Sequence, residues 1–434
     1  MSRVKRISRM IKESVWLFPI VYSLVALLLA VLSISYDLGY FKFVFKGTPS
    51  FFLMNLDIAK TVLSIIAGAF VTITTFTFST TMIVLIMYTS QYSPRVVKNF
   101  LTERDTLQAF GVFVSGFFYV MIILLFLSNY DPNIKVISAT ISIVYILVGL
   151  IFFFRFVNSV ASYIQASNLI RRLKENATEE ILEYRDSIIK RDFVEEIDSL
   201  MSNDLSNIKS TKDGYIQDYD YSKFINIAQK YQTNLYIKKV IGHFITKENI
   251  FCEYCDENFD DEDKKNIIDE VMRGIIVGEQ RSEANDFEYS IQKIVELALK
   301  ALSPGINDPN TAIHCVRITS LLLREIADLP KGFIKITGED KEDEDSFEVY
   351  LEAMEFEVLL ANTYLPIINY GKSDLFVMRE IINALQIIIS TSSDYNKEKI
   401  KNFSDYLWKK VIEENFDEYE IKLLRSEIYE IGAS

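Results

Sequence analysis

The sequence predicts a chain in two parts, an α-helical integral membrane domain with four transmembrane helices followed by a cytosolic α+β domain. Two observations support this division. Four uncharged apolar runs lie in the amino-terminal part, and each is long enough to cross about 30 Å of hydrocarbon as a helix. After Arg155 no comparable run occurs, and the chain becomes rich in Glu, Asp, Lys and Asn, as soluble domains are.

The four apolar runs give the expected spans and domain boundaries. They cover residues 15–36, 61–94, 106–130 and 136–154. We expect a transmembrane domain over 1–157, a helical connector over 158–210, a small β-rich subdomain over 211–279 and a helical cytosolic domain over 280–434. The first run is longer than the apolar core of a signal peptide, and no small-x-small cleavage site ends it, so we expect a retained helix.

Basic residues near the helix ends predict the orientation. They are concentrated in the amino-terminal tail, between the second and third runs and after the fourth run, so both termini are expected in the cytosol. The cysteines Cys252, Cys255 and Cys315 all fall in the expected cytosolic part. A structural disulfide is therefore not expected.

The second run is unusual because it carries seven hydroxyl side chains between Thr72 and Thr81. At 100° per residue they form two stripes on nearly opposite faces of a helix. One stripe contains Thr72, Thr75 and Ser79 and continues through Met82 and Ile86, and the other contains Thr74, Thr77 and Thr81.

Two interpretations of the stripes are open. Hydroxyls can bond to a carbonyl one turn back or to a neighbouring helix, so both stripes are compatible with ordinary packing. A four-helix subunit has one interior, however, and the second stripe must face lipid, another subunit or water. On the axis of an oligomer it would line a pore. We favour the stripe of Thr72 as the water-facing one.

The segment after the second run carries Arg95 and Lys98 at the expected inner membrane face. They are suited to anchoring on anionic headgroups. In the pore interpretation they form the inner mouth. The third run contains GVFVSG at 111–116, whose small residues predict a packing helix.

The expected cytosolic part begins with an amphipathic helical pattern that runs to about residue 203, typical of a rigid connector. Short strand-like segments follow, with one helix among them at YSKFINIAQKY. The strand-like segments are GYIQDY, NLYIKKVIGHFIT, NIFCEYC and VMRGIIVG. Turn residues separate them, so a small β-barrel or sandwich is expected. His243, Cys252 and Cys255 lack the second ligand pair of a structural zinc site, so no metal or cofactor is expected.

The segment LALKALSPGINDPNTAIH combines helix stop and start signals. Pro304 and Gly305 end one helix, Asp308 is suited to N-cap the next, and Pro309 suits its first position. Asp286 is expected to cap the preceding helix. The same loop is a candidate ligand site, formed by Ser303, Asn307, Asp308 and His314.

Several segments together resemble a known family of predicted bacterial membrane proteins, the domain of unknown function 2254. They are FSTTMIVLIMYTSQYSPRVVKNF, GYIQDYD, GHFITKENIF and IVGEQRSEANDFEYSIQKIVELALKALSPGINDPNTA. The resemblance covers about residues 10 to 430 and implies a bacterial inner-membrane protein with this layout. It implies no reaction and no catalytic residues. His243 stands where the family usually has an Asp.

Composition and motifs argue against three classes of protein: enzymes, nucleic-acid-binding proteins and coupled transporters. The chain has two histidines and none of the GxSxG, HExxH or nucleotide-loop motifs, so an enzyme is not expected. The formal charge of -13 disfavours nucleic acid as a partner. The spans lack charged residues of the kind that mark a coupled transporter. We favour a homo-oligomeric ion channel with a weak preference for cations. Its expected partners are the lipid bilayer, inorganic ions and other copies of the chain. The alternative is a membrane-anchored sensor or scaffold that binds a ligand through the cytosolic domain.

Overall fold

In a computed structural model, the chain forms two compact units, a first unit over Met1–Asn168 and a second unit over Leu169–Ser434. The structure describes residues 16–40, 49–91, 104–128, 134–163, 165–189, 193–194, 205–256, 259–282, 285–329, 331–336 and 347–433.

Among its described residues, the first unit has four long apolar helices. They are α1 (Leu17–Asp37), α2 (Leu56–Gln91), α3 (Arg104–Leu127) and α4 (Ser138–Tyr163). Each is long and apolar enough to cross a membrane, which confirms the four predicted spans. Two short strands, β1 (Met54–Asn55) and β2 (Lys135–Val136), pair antiparallel just before α2 and α4.

Helix α3 is the central span, because it packs against α1, α2 and α4. Its two predicted packing glycines make this close approach. A Cβ on Gly111 would lie 2.5 Å from the ring of Tyr22, and one on Gly116 would lie 2.4 Å from the ring of Phe70. Larger residues at either position would separate the helices, so the small-residue pattern in α3 does specify packing.

Polar side chains tie the spans together at one end of the unit. The Asp37 carboxylate accepts from the backbone N–H groups of Ile137 and Ser138, at 2.8 and 3.4 Å, and so caps the start of α4. The Tyr119 hydroxyl shares a hydrogen bond of 2.9 Å with Ser33. Tyr119 also stacks on Tyr145 with ring centroids 5.7 Å apart. These contacts satisfy buried polar groups inside an otherwise apolar bundle.

Helix α5 (Ala166–Ile189) crosses the boundary between the two units at Leu169 and lies within the predicted connector over 158–210. In the described residues after α5, nine strands alternate with helices. The strands are β3 (Phe193–Val194), β4 (Leu205–Lys209), β5 (Gly214–Tyr219), β6 (Leu235–Ile237), β7 (Phe244–Ile245), β8 (Ile250–Cys255), β9 (Ile275–Gly278), β10 (Phe333–Ile336) and β11 (Val349–Glu352). The helices are α6 (Tyr221–Tyr231), α7 (Asp261–Gly274), α8 (Phe287–Ala301), α9 (Pro309–Arg324), α10 (Phe356–Gly371), α11 (Leu375–Ile389), α12 (Asp394–Glu413) and α13 (Glu418–Ala433).

The strands of the second unit form a six-stranded sheet in the order β3-β10-β11-β6-β8-β4 and a three-stranded sheet in the order β7-β5-β9. Among the described strands neither sheet closes into a barrel, so the predicted barrel or sandwich is not confirmed, while the α+β class is. A core of apolar residues joins both sheets to α6 and α7, with Phe224, Phe251 and Ile267 at its centre.

Two elements of this unit differ from the prediction. Residues 271–274, expected in a strand, are the last turn of α7, and the strand β9 begins at Ile275. Strands β10 and β11 lie within the part expected to be helical. Because β11 pairs in parallel with β6, this hairpin belongs to the six-stranded sheet rather than to the helical layer. The remaining helices, α8 to α13, pack on one another.

Candidate functional site

The hydroxyl stripes of α2 differ in burial, which gives them different environments. Thr72, Thr75 and Ser79 are exposed on the surface of the first unit. On the opposite side, Thr77 and Thr81 are only 0% and 3% exposed. The structure thus places one stripe in the helix bundle and the other outside it.

The exposed face of α2 carries more small and polar residues than those predicted from the sequence. Asp57, Thr61, Ser64, Gly68, Thr72, Thr75 and Ser79 are all exposed, and we call them the exposed stripe. At 100° per residue they fall within about 80° of one another. The predicted residues Met82, half-buried, and Ile86, 67% exposed, continue the same line. Asp57, Thr61, Ser64 and Gly68 were not predicted as part of this stripe. Their spacing of three and four residues is visible in the sequence and would have placed them on the same helix face.

Four hydroxyls of the exposed stripe are bonded to their own helix. Thr61, Ser64, Thr72 and Thr75 each donate to the carbonyl four residues back, at 2.8 to 2.9 Å. Each oxygen can still accept a hydrogen bond from outside. The stripe can therefore face water without leaving its donors unpaired, and it can also enter a membrane at little cost.

The opposite stripe has the character of a packing surface. The Thr81 hydroxyl donates to the Thr77 carbonyl at 2.8 Å. The Thr77 hydroxyl is buried and has no hydrogen-bond partner among the described residues. Thr74 is half-buried and donates to the Phe70 carbonyl at 2.6 Å. The predicted inner-mouth residues Arg95 and Lys98 lie outside the described residues.

A second candidate site lies in the second unit, in the segment before α8. The Arg281 guanidinium donates to both carboxylate oxygens of Asp286, at 2.7 and 2.8 Å, and its third nitrogen donates to Gln292 at 3.1 Å. Asp286 also accepts from the Tyr289 N–H at 3.0 Å and so caps α8 as predicted. The side chain of Asp286 is 1% exposed and that of Arg281 is 17% exposed. This buried bidentate pair is a strong, geometrically defined contact.

The turn between β6 and β7 comes close to this ion pair. Gly242 has φ +91°, and a Cβ there would lie 2.3 Å from Asp286 Oδ2 and 2.6 Å from Arg281 Nη2. The neighbouring His243 stands at the position where the family resemblance led us to expect an acid. Partial burial, with Lys239 and Arg281 nearby, lowers the pKa of His243.

Glu288 adds a second carboxyl beside the ion pair. Its Oε2 lies 3.8 Å from Arg281 Nη2, longer than the bonds that Arg281 makes to Asp286. Burial and the charge of Asp286 raise the pKa of Glu288 to about 7, although Arg281 opposes the shift. We call Arg281, Asp286 and Glu288 the acid–arginine cluster.

The predicted ligand loop between α8 and α9 is accounted for mainly by helix capping. Asp308 accepts from the Thr311 N–H at 3.1 Å and from the Thr311 hydroxyl at 2.6 Å. Ser303 donates to the Lys300 carbonyl at 2.6 Å, and Asn307 takes the left-handed conformation with φ +51°. His314, half-buried, lies on α9. Cys252 and Cys255 face opposite sides of the six-stranded sheet, in separate apolar clusters, so they cannot share a ligand.

The sequence did not predict that Arg281, Asp286 and Glu288 come together. Asp286 was recognised as a helix cap, but its pairing with Arg281 depends on the loop conformation between them. In the described residues, no group of three or more His, Cys, Asp or Glu side chains is placed to hold a metal ion.

Comparison with known proteins agrees with the membrane architecture of the chain. A family model described as predicted membrane protein, DUF2254, matches residues 12–386. Uncharacterised proteins of Mycobacterium bovis and Mycobacterium tuberculosis are 21% identical over 325 residues, which cover 73% of this chain and 61% of theirs. The chain thus spans less than two thirds of the length of these relatives, and no solved structure matches it. Because the family model covers most of the chain, this protein belongs to the DUF2254 family of predicted membrane proteins.

Proposed function

We propose that this protein is an ion pore of the bacterial cytoplasmic membrane, formed by several copies with both termini in the cytosol. In this assembly α2 lines the path through Thr72, Thr75, Ser79, Met82 and Ile86, and the second unit is the regulatory part. One four-span subunit has no second interior for the exposed stripe, so the pore requires cyclic symmetry.

The observation that carries the proposal is the length of the exposed stripe. From Asp57 to Ser79 its seven positions hold nothing larger than Thr or Asp. At 1.5 Å per residue they extend over about 33 Å, close to the thickness of the hydrocarbon core. A polar line of this length reaches from one membrane face to the other, as a water-filled path would require.

The other exposed surfaces of the first unit have the composition expected for contact with lipid. The exposed side chains of α1 include Leu24, Leu28 and Leu32, and those of α4 include Leu147, Ile151 and Phe154. On α2 itself, large apolar side chains such as Ile65 and Phe76 flank the stripe. The contrast between the stripe and these surfaces supports an aqueous or intersubunit environment for the stripe.

Charge at the two ends of the path supports a weak preference for cations. Asp57 begins the exposed stripe, and a ring of these carboxylates would attract cations at one mouth. Arg95 and Lys98 near the other mouth would oppose it. We give the greater weight to Asp57, because it lies on the stripe itself.

The oligomeric state tests the proposal first. The full chain in lipid nanodiscs is measured by native mass spectrometry, and a closed ring of at least three copies is expected. The same protein in liposomes should pass K⁺ or Na⁺ in a flux assay. A stable monomer with no ion flux contradicts the pore.

Matched substitutions on α2 separate the two stripes. Thr72→Val and Thr75→Val keep the side-chain shape, remove a hydroxyl from the path and should lower conductance by favouring dewetting. Thr77→Val removes a buried hydroxyl that has no partner among the described residues, so it should leave conductance unchanged and raise stability by about 1 kcal/mol. Equal effects of the exposed and buried substitutions on ion flux would overturn the assignment of the stripes.

A membrane-anchored sensor or scaffold is the second candidate. The observation that favours it is the bonding of the exposed hydroxyls to their own helix, which ordinary membrane helices also show. In this case the second unit carries the function and the spans only anchor it. A monomer or dimer without ion flux supports this candidate.

A further inference from the structure

The turn of α8 that carries Glu288 also contacts the connector helix α5, and this contact suggests a regulatory role beyond the proposed pore. Phe287, between Asp286 and Glu288 in the chain, packs on Tyr184 of α5 with ring centroids 4.7 Å apart. The Tyr184 hydroxyl accepts from the Met354 N–H at 3.0 Å. One turn of α8 thus holds both the cluster and an aromatic contact to the connector.

The same part of α5 is fixed by a second contact in this unit. Arg185 donates to both carboxylate oxygens of Asp328 and to the Glu325 carbonyl. This attachment near the end of α9 is independent of Glu288. The contact between Phe287 and Tyr184 is therefore a route by which a change at the cluster would reach the connector.

The charge balance of the cluster leaves Glu288 poorly compensated. Arg281 directs two nitrogens at Asp286 and one at Gln292, so its contact with Glu288 is the longer one of 3.8 Å, and the Glu288 side chain is 18% exposed. Glu288 lies in the first turn of α8, where the helix dipole favours a negative charge. Burial and the nearby Asp286 outweigh this effect and raise the pKa of Glu288 to about 7.

The groups around Glu288 come from several elements, and their charges are defined by their environments. Both carboxylate oxygens of Asp286 accept hydrogen bonds from Arg281. Burial raises the pKa of Tyr184 on α5, so this phenol stays neutral. From the turn between β6 and β7, His243 has a lowered pKa, so near neutral pH it adds little positive charge. Glu288 is the carboxyl in this cluster whose charge changes near neutral pH.

We propose that Glu288 is a proton-responsive latch on the connector helix: the neutral carboxyl keeps Phe287 against Tyr184, and ionisation weakens that contact. Ionisation places a second negative charge beside Asp286, and the two carboxylates then compete for one guanidinium. The first turn of α8 relaxes to hydrate Glu288, and Phe287 moves with it. The connector is thus held more firmly below about pH 7 than above it.

Hydrogen exchange of the full chain in nanodiscs tests this latch. Amide exchange in α5 is measured by mass spectrometry at about pH 6 and about pH 8, either side of the Glu288 pKa, and is corrected for the intrinsic effect of pH. Exchange around Tyr184 should be faster at the higher pH, by up to about tenfold in total, because one linked proton gives at most about tenfold per pH unit and the effect levels off above about pH 7, where Glu288 is ionised whether or not the contact is made. In Glu288→Gln, which mimics the neutral acid, exchange should be slow at both pH values.

A matched control uses an acid close in sequence but exposed. Glu279→Gln removes a carboxylate from the surface and should retain the wild-type difference between the two pH values. An unchanged wild-type rate, or a Glu288→Gln variant that retains the difference, overturns the proposal. If Glu288→Gln does not fold, ¹³C NMR of labelled wild-type Glu decides the question, since a Glu288 that is already ionised at about pH 6 overturns it. None of these measurements depends on ion conduction.

Discussion

Gly116 in α3 shows that single atoms decide how closely the spans of the first unit pack. A Cβ at this position would lie 2.4 Å from the ring of Phe70, which is fully buried. We therefore expect Gly116→Ala to destabilise the first unit by about 1 to 3 kcal/mol, the usual cost of overpacking. Unfolding of the protein in detergent, followed by circular dichroism, measures this change.

Gly68 in α2 is the matched control. It lies on the exposed stripe, and a Cβ there would meet nothing within 4 Å. Because Ala is the better helix former, Gly68→Ala should leave the stability unchanged or raise it by up to about 1 kcal/mol. If both substitutions destabilise the protein equally, the close contact between α2 and α3 is not the reason for Gly116.

At the scale of elements, α8 and α9 both begin with an Asp N-cap, but the surroundings of the two Asp side chains differ. Asp286 and Asp308 both N-cap their helices, but only Asp286 also neutralises a buried arginine. Asn caps a helix about as well as Asp does. Asp286→Asn should therefore cost about 3 kcal/mol, because it breaks the bidentate pair and leaves Arg281 the longer contact with Glu288, whereas Asp308→Asn should cost less than about 1 kcal/mol. Chemical denaturation of the two variants compares these costs.

A third substitution tests the cause of this difference. If the loss in Asp286→Asn comes from the broken bidentate pair, adding Arg281→Gln should recover part of it. A double variant as unstable as the sum of the two single variants would show that the two side chains act independently.

The elements that the sequence predicted are those that local signals define. The spans follow from apolar length, and α6, α8 and α9 follow from periodicity together with Asp and Pro at their starts. The β10–β11 hairpin was missed because its pairing is not local: Val349 pairs with Leu235, far away in the chain. Helix α7 was also missed, because it begins with a run of acidic residues. Its apolar side is covered by α6 and β9, and the contact with α6 is again non-local. For the same reason, Asp286 was predictable as a cap and not as the partner of Arg281.

At the scale of the whole molecule, symmetry would multiply the effect of each residue on the exposed stripe. In a ring of identical subunits, Asp57 occurs once per subunit at one mouth of the path. Adding together the fields of several carboxylates makes a mouth far more cation-attracting than any single exposed Asp. In the proposed ring, a weak surface charge would therefore become a determinant of selectivity.

Asp57→Asn should consequently reduce the preference of the pore for cations over anions. The reversal potential in a gradient of KCl across a lipid bilayer should move toward zero, because the neutral amide no longer concentrates K⁺ at the mouth. Asp57→Glu keeps the charge and should keep the wild-type reversal potential. The shift should also shrink at high ionic strength, where screening beyond about 3 Å at 1 M removes the field. A wild-type reversal potential in Asp57→Asn at low salt, with conductance intact, would show that Asp57 does not lie on the ion path.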